Sequence, residues 1–214
     1  MPLLLKHAHV IVDGSREYLD GAVFIEGETI KEVFPQTDKI KNISEDIPCI
    51  DLKGSLVMPG FFDSHTHGIK GMSFDHADQD TMDSISKEFA KDGTTSFLAS
   101  LSYDLSEEEY LKQLGILNDY VAPASRFMGI HMEGPFLSEK HLGMGDPKRF
   151  IKPDEAMLER FLNASDKIRQ MTIAYELEGA KRLGEMLHKR GIKVMCGHSD
   201  AVLEDLDENV EGFT

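Results

Sequence analysis

The sequence has 214 residues, of which 41% are hydrophobic, so it is long and apolar enough to bury one sizeable core and form a soluble globular protein. It carries 38 acidic and 23 basic residues, and the resulting formal net charge is −15. A chain this acidic repels nucleic acid and anionic membrane surfaces, so we expect neither as a partner.

The N-terminus and the cysteines indicate a cytoplasmic protein. Residues 1–9 lack the charged start and the full apolar run of a signal peptide, and no stretch of the sequence approaches a membrane span. Cys49 and Cys196 stand at no metal or redox spacing, and the apolar context of each favours a reduced, buried thiol.

Residues 1–57 predict a small β domain that forms part of a β-sandwich. Short segments of alternating hydrophobicity are separated by turns at Asp13-Gly14 and Gly27-Glu28. The expected strands are Leu3–Val12, Gly21–Glu26 and Thr29–Phe34, followed by a loop over 35–48 and one or two strands within Cys49–Met58. His7 and His9 share a strand face, but nothing nearby supplies further metal ligands, so we interpret them as surface or sheet residues.

Residues 58–214 change to alternating strands and helices, which is typical of a parallel sheet covered by helices. The expected strands are Phe61–Ser64, Thr94–Leu101, Arg126–Glu133, Met171–Tyr175 and Ile192–Cys196. The expected helices are one that Asp80 caps and Gly93 ends, one that a capping box at Ser106–Glu109 opens and that runs to about Tyr120, one near Asp154–Leu162, and one over Glu176–Arg190. Five such units predict an α/β fold, a TIM (β/α)8 barrel truncated after about five strands.

Polar residues stand at the C-terminal ends of three predicted strands. His65 and His67 follow the first strand, His131 and Glu133 close the third, and His198 follows the fifth. Two histidines separated by one residue on an extended strand point to the same face and can converge on one ion. In a (β/α)8 barrel this end of the strands carries the catalytic groups, and imidazole with carboxylate suits zinc, iron or a similar divalent metal.

Each of these motifs has a second interpretation when it stands alone. An alternating histidine pair can lie on a solvated strand face, Glu133 can be an exposed acid in a loop, and His198 can be an isolated capped histidine. His131 alternates with Glu133 and so can either support a ligand or contact substrate. The recurrence of such residues at three strand ends favours a metal site.

Three segments occur in order after the small β unit: Pro59-Gly-Phe-Phe-Asp-Ser-His-Thr-His-Gly68, then His131-Met-Glu-Gly-Pro-Phe-Leu-Ser138, then Gly197-His-Ser199. In these segments the chain resembles the N-acetylglucosamine-6-phosphate deacetylase family of the amidohydrolase superfamily. The resemblance implies a metal-dependent amidohydrolase barrel that hydrolyses the acetamide of N-acetylglucosamine 6-phosphate to glucosamine 6-phosphate and acetate.

The family resemblance also implies roles for individual residues. Residues that match Glu133 and His198 bind the catalytic metal in the family, and residues that match His65 and His67 can hold a second ion, so we expect one or two divalent ions. Met144 and Gly145 occupy positions where the family usually has a Lys-Gly-Ala-His-like stretch that touches substrate.

The rest of the family's site is expected outside this sequence. The catalytic aspartate, a further metal histidine and most sugar-phosphate contacts match positions beyond Thr214. The chain therefore resembles the N-terminal portion of a longer enzyme, and alone it is expected to be inactive. The partner implied is a small phosphorylated amino sugar, and the full-length enzyme is expected to be a homodimer.

Two other functions remain compatible with these residues. One is a different amide hydrolase of the same superfamily, such as a cyclic-amide hydrolase, which a carboxylated lysine at a strand end would favour. No predicted strand ends in such a lysine. The other is a non-catalytic fragment that keeps the scaffold and some affinity for metal.

Overall fold

The computed structural model describes residues 1–44, 46–141, 143, 146, 149 and 151–202. The chain divides into two compact units, one over Met1–Gly60 and one that begins at Phe61. Within the described ranges, no helix combines the length and the apolar character needed to cross a bilayer.

The first unit is built on a five-stranded sheet. Its strands are β1 (Pro2–Asp13), β2 (Arg16–Glu26), β3 (Thr29–Phe34), β4 (Cys49–Asp51) and β5 (Leu56–Val57). β1 pairs antiparallel with β2 and parallel with both β4 and β5, while β3 pairs with the outer edge of β2. Two small apolar clusters, one around Leu4 and Phe34 and one around Val10 and Val23, form its core.

The histidine pair of the first unit makes local contacts with acidic residues of the neighbouring strand. His7 Nδ1 lies 3.0 Å from Asp20 Oδ1, and His9 Nε2 lies 2.7 Å from Glu17 Oε2. All four residues lie on β1 or β2. The interpretation of His7 and His9 as surface or sheet residues is therefore confirmed.

The second unit is a parallel sheet whose neighbouring strands are joined by helices. Its elements are β6 (Phe61–Thr66), the short hairpin β7 (Gly68–Ile69) and β8 (Met72–Ser73), α1 (Gln79–Lys91), β9 (Thr94–Leu101), α2 (Glu107–Asn118), β10 (Arg126–Glu133), α3 (Glu155–Ala164), β11 (Ile168–Ile173), α4 (Ala180–Lys189) and β12 (Lys193–Cys196). The five long strands follow the order β12-β11-β10-β9-β6, and each pair is parallel. All five predicted strands of the α/β fold are present.

Side-chain caps set the starts of the helices. The predicted capping box is confirmed, because the Ser106 backbone N–H donates to Glu109 Oε2 at 2.8 Å and the Glu109 N–H donates to Ser106 Oγ at 3.3 Å. The predicted cap of α1 is wrong: Asp78, not Asp80, accepts the Thr81 N–H at 2.9 Å. Asp80 lies inside the first turn, where its negative charge suits the positive end of the helix dipole.

The last helix is shorter than predicted. Its periodic apolar residues suggested a start at Glu176, but α4 begins at Ala180, after Gly179 in the left-handed conformation with φ of 91°. Residues 176–179 form a turn instead, and the carboxylate of Glu176 accepts hydrogen bonds from a neighbouring loop. Tertiary contacts therefore override the helical pattern here.

The prediction of buried thiols is wrong. Cys49 and Cys196 are both free, as expected, but both are exposed. Cys49 lies in β4, an outer strand of the first sheet, and Cys196 ends β12, an outer strand of the parallel sheet as far as it is described. An apolar sequence context did not reveal these edge positions.

A continuous core between the parallel sheet and its helices fixes the strands. Phe97 of β9 is fully buried, and its ring centroid lies 5.5 Å from that of Phe74, 5.1 Å from that of Phe89 and 5.9 Å from that of Phe127. Aromatic pairs at such separations stabilise a core beyond the area that they bury. The packing holds the strands rigidly, so the residues at their C-terminal ends have fixed positions.

Candidate metal centre

The C-terminal ends of β6, β10 and β12 bring four predicted metal ligands together. His65 lies near the end of β6 and His67 directly follows that strand, Glu133 is the last residue of β10, and His198 stands two positions after β12. Because the strands are parallel, these ends lie at the same edge of the sheet.

Three imidazoles approach the single carboxylate of Glu133. His67 Nε2 lies 2.9 Å from Glu133 Oε2, and the Nε2 atoms of His65 and His198 lie 3.3 Å and 3.1 Å from Glu133 Oε1. The Glu133 side chain is 8% exposed, whereas that of His65 is 47% exposed, so the cluster has a buried floor and an open side. The ligand atoms of His65, His67 and Glu133 all lie within 4.8 Å of one another.

The surroundings of Glu133 favour its ionised form. Burial alone would raise the pKa of this carboxyl, but the hydrogen bond with His67 and the charges of His65, His67 and His198 outweigh burial and lower the pKa to about 2. The same hydrogen bond raises the pKa of His67, against the opposing effect of burial. The centre therefore offers a buried negative charge surrounded by nitrogen ligands.

The orientation of His198 fits a cation between its ring and Glu133. Its Nδ1 lies 2.6 Å from the backbone oxygen of His141, which can only accept, so Nδ1 carries the proton. In the neutral ring Nε2 is then an acceptor, yet it faces a carboxylate oxygen at 3.1 Å. Two acceptors this close require a proton or a metal ion between them. A ring nitrogen anchored to a carbonyl oxygen is also usual for metal-binding histidines.

His131 lies behind the cluster and is fully buried. Its Nδ1 is 2.9 Å from Ser100 Oγ and its Nε2 is 2.8 Å from Thr172 Oγ1. Its ring centroid lies 4.5 Å from that of His65 in an edge-to-face arrangement. Burial and the neighbouring charge of His65 lower the pKa of His131 to about 3, so the ring is neutral.

The other two predicted substrate contacts, Met144 and Gly145, lie outside the described residues. The structure thus brings together His65, His67, Glu133 and His198 and places His131 directly behind His65.

Several residues near the centre were missed by the sequence analysis. Tyr103, which follows β9, has its ring centroid 5.1 Å from that of His198. Ser100 and Thr172 hold His131, and Glu176 binds the loop that carries His198. These residues lie at or just beyond the C-terminal ends of β9 and β11, so searching all five strand ends for polar residues would have found them.

The sequence profile described as the Amidohydrolase family matches residues 56–208 of this chain. Among similar proteins, the N-acetylglucosamine-6-phosphate deacetylase of Lysinibacillus sphaericus is 30% identical over 196 residues, which cover 84% of this chain and 49% of that protein. The enzyme of the same name from Haemophilus influenzae is 31% identical over 187 residues, which cover 86% of this chain and 48% of that protein. The chain thus spans about half the length of these relatives.

A solved structure shows the same fold. A variant of the N-acetyl-D-glucosamine-6-phosphate deacetylase of Mycobacterium smegmatis, in complex with N-acetyl-D-glucosamine-6-phosphate, superposes with a TM-score of 0.79 at 27% identity. The superposition covers 96% of this chain and 51% of that protein. These comparisons confirm the family resemblance and the barrel fold class that the sequence predicts.

Proposed function

The chain belongs to the amidohydrolase family, and we propose that it supplies the metal ligands for hydrolysis of the acetamide of N-acetylglucosamine 6-phosphate to glucosamine 6-phosphate and acetate. The observation that carries this proposal is the approach of three imidazoles to the buried carboxylate of Glu133. The similarity to deacetylases from two bacteria and to a substrate complex supports the substrate class.

Each residue of the centre has a defined task in this proposal. His65, His67, Glu133 and His198 would hold one or two divalent ions such as zinc or iron. Bound there, such an ion would supply Lewis-acid chemistry, namely polarisation of the amide carbonyl and activation of water. His65 and His67 form the partly exposed side of the cluster, so substrate would approach from that side.

His131 has a supporting task in the proposed site. Hydroxyl groups engage both of its ring nitrogens, and its neutral ring packs edge-to-face against His65. We infer that His131 orients the ring of His65 and so affects substrate binding indirectly. We keep Met144 and Gly145 as proposed substrate contacts on the family resemblance alone.

A chimeric enzyme tests the proposed reaction. Because the matched relatives are about twice as long as the matched segment, the chimera joins this whole chain to the part of the Lysinibacillus sphaericus enzyme that lies beyond the match. Acetate release from N-acetylglucosamine 6-phosphate is measured with added zinc or iron, beside the Glu133→Gln variant and a cyclic-amide substrate. We expect turnover of the amino sugar that Glu133→Gln abolishes.

The outcomes of this assay separate the alternatives. A metal-loaded chimera that hydrolyses only the cyclic amide would show a different amidohydrolase. A folded chimera that binds no metal would contradict the proposed centre itself. A metal-loaded, folded chimera without activity on either substrate would favour a non-catalytic metal-binding protein.

The proposal also covers the setting of the enzyme, which we infer to be a cytoplasmic homodimer. Both cysteines are free and exposed, which suits a reducing compartment. The family resemblance supports the dimer. Light scattering on the purified chimera measures its mass, and a monomer at assay concentrations would contradict the dimer.

A further inference from the structure

Glu176 lies just beyond the end of β11 and binds the loop that follows β12. Its Oε1 accepts the backbone N–H of Asp200 at 2.8 Å, and its Oε2 accepts the hydroxyl of Ser199. Ser199 and Asp200 are the two residues directly after His198. One carboxylate thus fixes the segment that leaves the proposed metal ligand.

The backbone of His198 needs such support. Its φ is +49°, in the left-handed region that residues other than glycine rarely adopt. A conformation of this kind persists only where the surrounding structure imposes it. From the side of β10, the Ser138 N–H donates to the His198 carbonyl at 3.0 Å, and the His141 carbonyl accepts from the ring at 2.6 Å.

A second set of contacts holds the same loop from the opposite side. The carboxylate of Asp200 lies 2.5 Å from Lys140 Nζ and 3.0 Å from His141 Nε2. The backbone of Asp200 is bound by Glu176 and its side chain by the loop after β10, so the loop after β12 is held between two neighbours. Glu176 provides the contact on the β11 side.

We propose that Glu176 is a positioning residue that holds His198 in its left-handed conformation and so keeps His198 Nε2 directed at Glu133. This inference rests on the proposed function, in which His198 binds the metal. Glu176 itself touches neither the metal ligands nor, in this proposal, the substrate.

The protonation state of Glu176 suits the task. Burial opposes ionisation of its carboxyl, but hydrogen bonds from Ser199 and from the backbone of Asp200 outweigh burial and lower the pKa. The ionised carboxylate only accepts hydrogen bonds, which matches the Ser199 hydroxyl and the Asp200 N–H that donate to it.

Zinc affinity of the 214-residue chain tests the inference. Dissociation constants are measured by competition with a chromophoric chelator for the unaltered chain and for Glu176→Ala, Glu176→Gln and Ser199→Ala. The control is Glu178→Ala, which removes an exposed acid two residues away. We expect Glu176→Ala to weaken zinc binding by about 10- to 100-fold, as loss of a partner behind a metal ligand typically does. The control should change affinity by no more than about twofold.

The two milder variants give graded results. Glu176→Gln keeps a side-chain oxygen for the Asp200 N–H, and its amide group can donate to the Ser199 hydroxyl, so its affinity should lie between those of the unaltered chain and Glu176→Ala. Ser199→Ala removes the bond from the Ser199 hydroxyl to Glu176, and with it the bond that this hydroxyl accepts from the Ala201 N–H, and should have a similar intermediate effect. If Glu176→Ala unfolds, as judged by circular dichroism, these two variants carry the test.

A double-mutant cycle with His198→Ala separates positioning from general support of the fold. If Glu176 acts through His198, adding Glu176→Ala to His198→Ala should change zinc affinity by no more than about twofold. Additive losses, or equal zinc affinity for Glu176→Ala and Glu178→Ala, would overturn the inference. An unaltered chain that binds no zinc would instead contradict the proposed function.

Discussion

The Nε2 atom of His198 lies 3.1 Å from Oε1 of Glu133, although the two residues are 65 positions apart in the sequence. His198 follows β12 and Glu133 ends β10, and β11 lies between these strands in the sheet. The contact therefore depends on the parallel order of three strands. Glu133 therefore contacts both the histidines at the end of β6, His65 and His67, and the histidine that follows β12, His198.

Glu133→Gln should weaken zinc binding by more than the roughly 10- to 100-fold that loss of an outer partner costs. The change replaces a buried anion with a neutral amide that still fits the space. Metal content after dialysis and the zinc dissociation constant measure the effect. Glu139→Gln, which removes an exposed acid in the next loop, is the matched control. Equal zinc content in both variants would remove Glu133 from the ligand set.

The two histidine pairs should respond differently to substitution. We expect His65→Asn combined with His67→Asn to lower the amount of bound zinc, because both rings face Glu133. The matched double change of His7 and His9 to asparagine should leave bound zinc unchanged, since those rings face acidic residues on β2. Elemental analysis of the two proteins decides the matter. A loss of zinc from the second protein would place metal in the first unit.

Glu88 should link stability to pH in the acid range. Hydrogen bonds from Lys70 and Lys91 lower the pKa of its carboxyl to about 2. The pKa of Glu88 is lower in the folded protein than in the unfolded chain, so its ion pairs with Lys70 and Lys91 stabilise the folded state. This contribution is fully present above the ordinary pKa of about 4.5 and disappears as the pH falls from about 4.5 towards 2.

Urea unfolding of the unaltered chain and of Glu88→Gln measures this contribution. The difference between their midpoints should shrink as the pH is lowered through that window, and it should be smaller in high salt because the pairs are exposed to solvent. A difference that stays constant with pH would show that the lysines do not stabilise ionised Glu88.

The aromatic cluster should dominate the stability of the second unit. Phe97→Ala should lower the free energy of unfolding by about 3–5 kcal/mol, because it opens a cavity among three other aromatic rings. Phe62→Ala should cost no more than about 0.5 kcal/mol, since Phe62 is 54% exposed on an outer strand. Urea unfolding monitored by circular dichroism compares the two. Equal losses of unfolding free energy in the two variants would mean that the aromatic cluster around Phe97 does not dominate the stability of the second unit.

Local signals were sufficient to predict most of the fold. The cap at Ser106 and the apolar runs of β9 and β10 depend only on residues that are close together in the chain. The helices and strands could therefore be located from the sequence. The candidate ligands were also predictable, because His65 with His67 and Glu133 stand at strand ends. Parallel order then places those ends together.

Features that depend on distant residues were not predictable in the same way. The turn at Glu176 exists because its carboxylate binds Ser199 and the Asp200 backbone, and the helical pattern after Glu176 gives no sign of these contacts. The exposure of Cys49 and Cys196 follows from their positions on outer strands, which only the sheet order reveals. The left-handed backbone of His198 likewise requires the surrounding loops.

The most direct test of the proposed centre is the position of bound zinc in crystals of the protein, located by anomalous diffraction at the zinc absorption edge. We predict a peak at the C-terminal ends of β6, β10 and β12, about 2.0–2.2 Å from Glu133 and from histidine Nε2 atoms of His65, His67 or His198. A zinc peak that contacts none of these residues, or no peak in a protein saturated with zinc, would contradict the assignment of a metal centre.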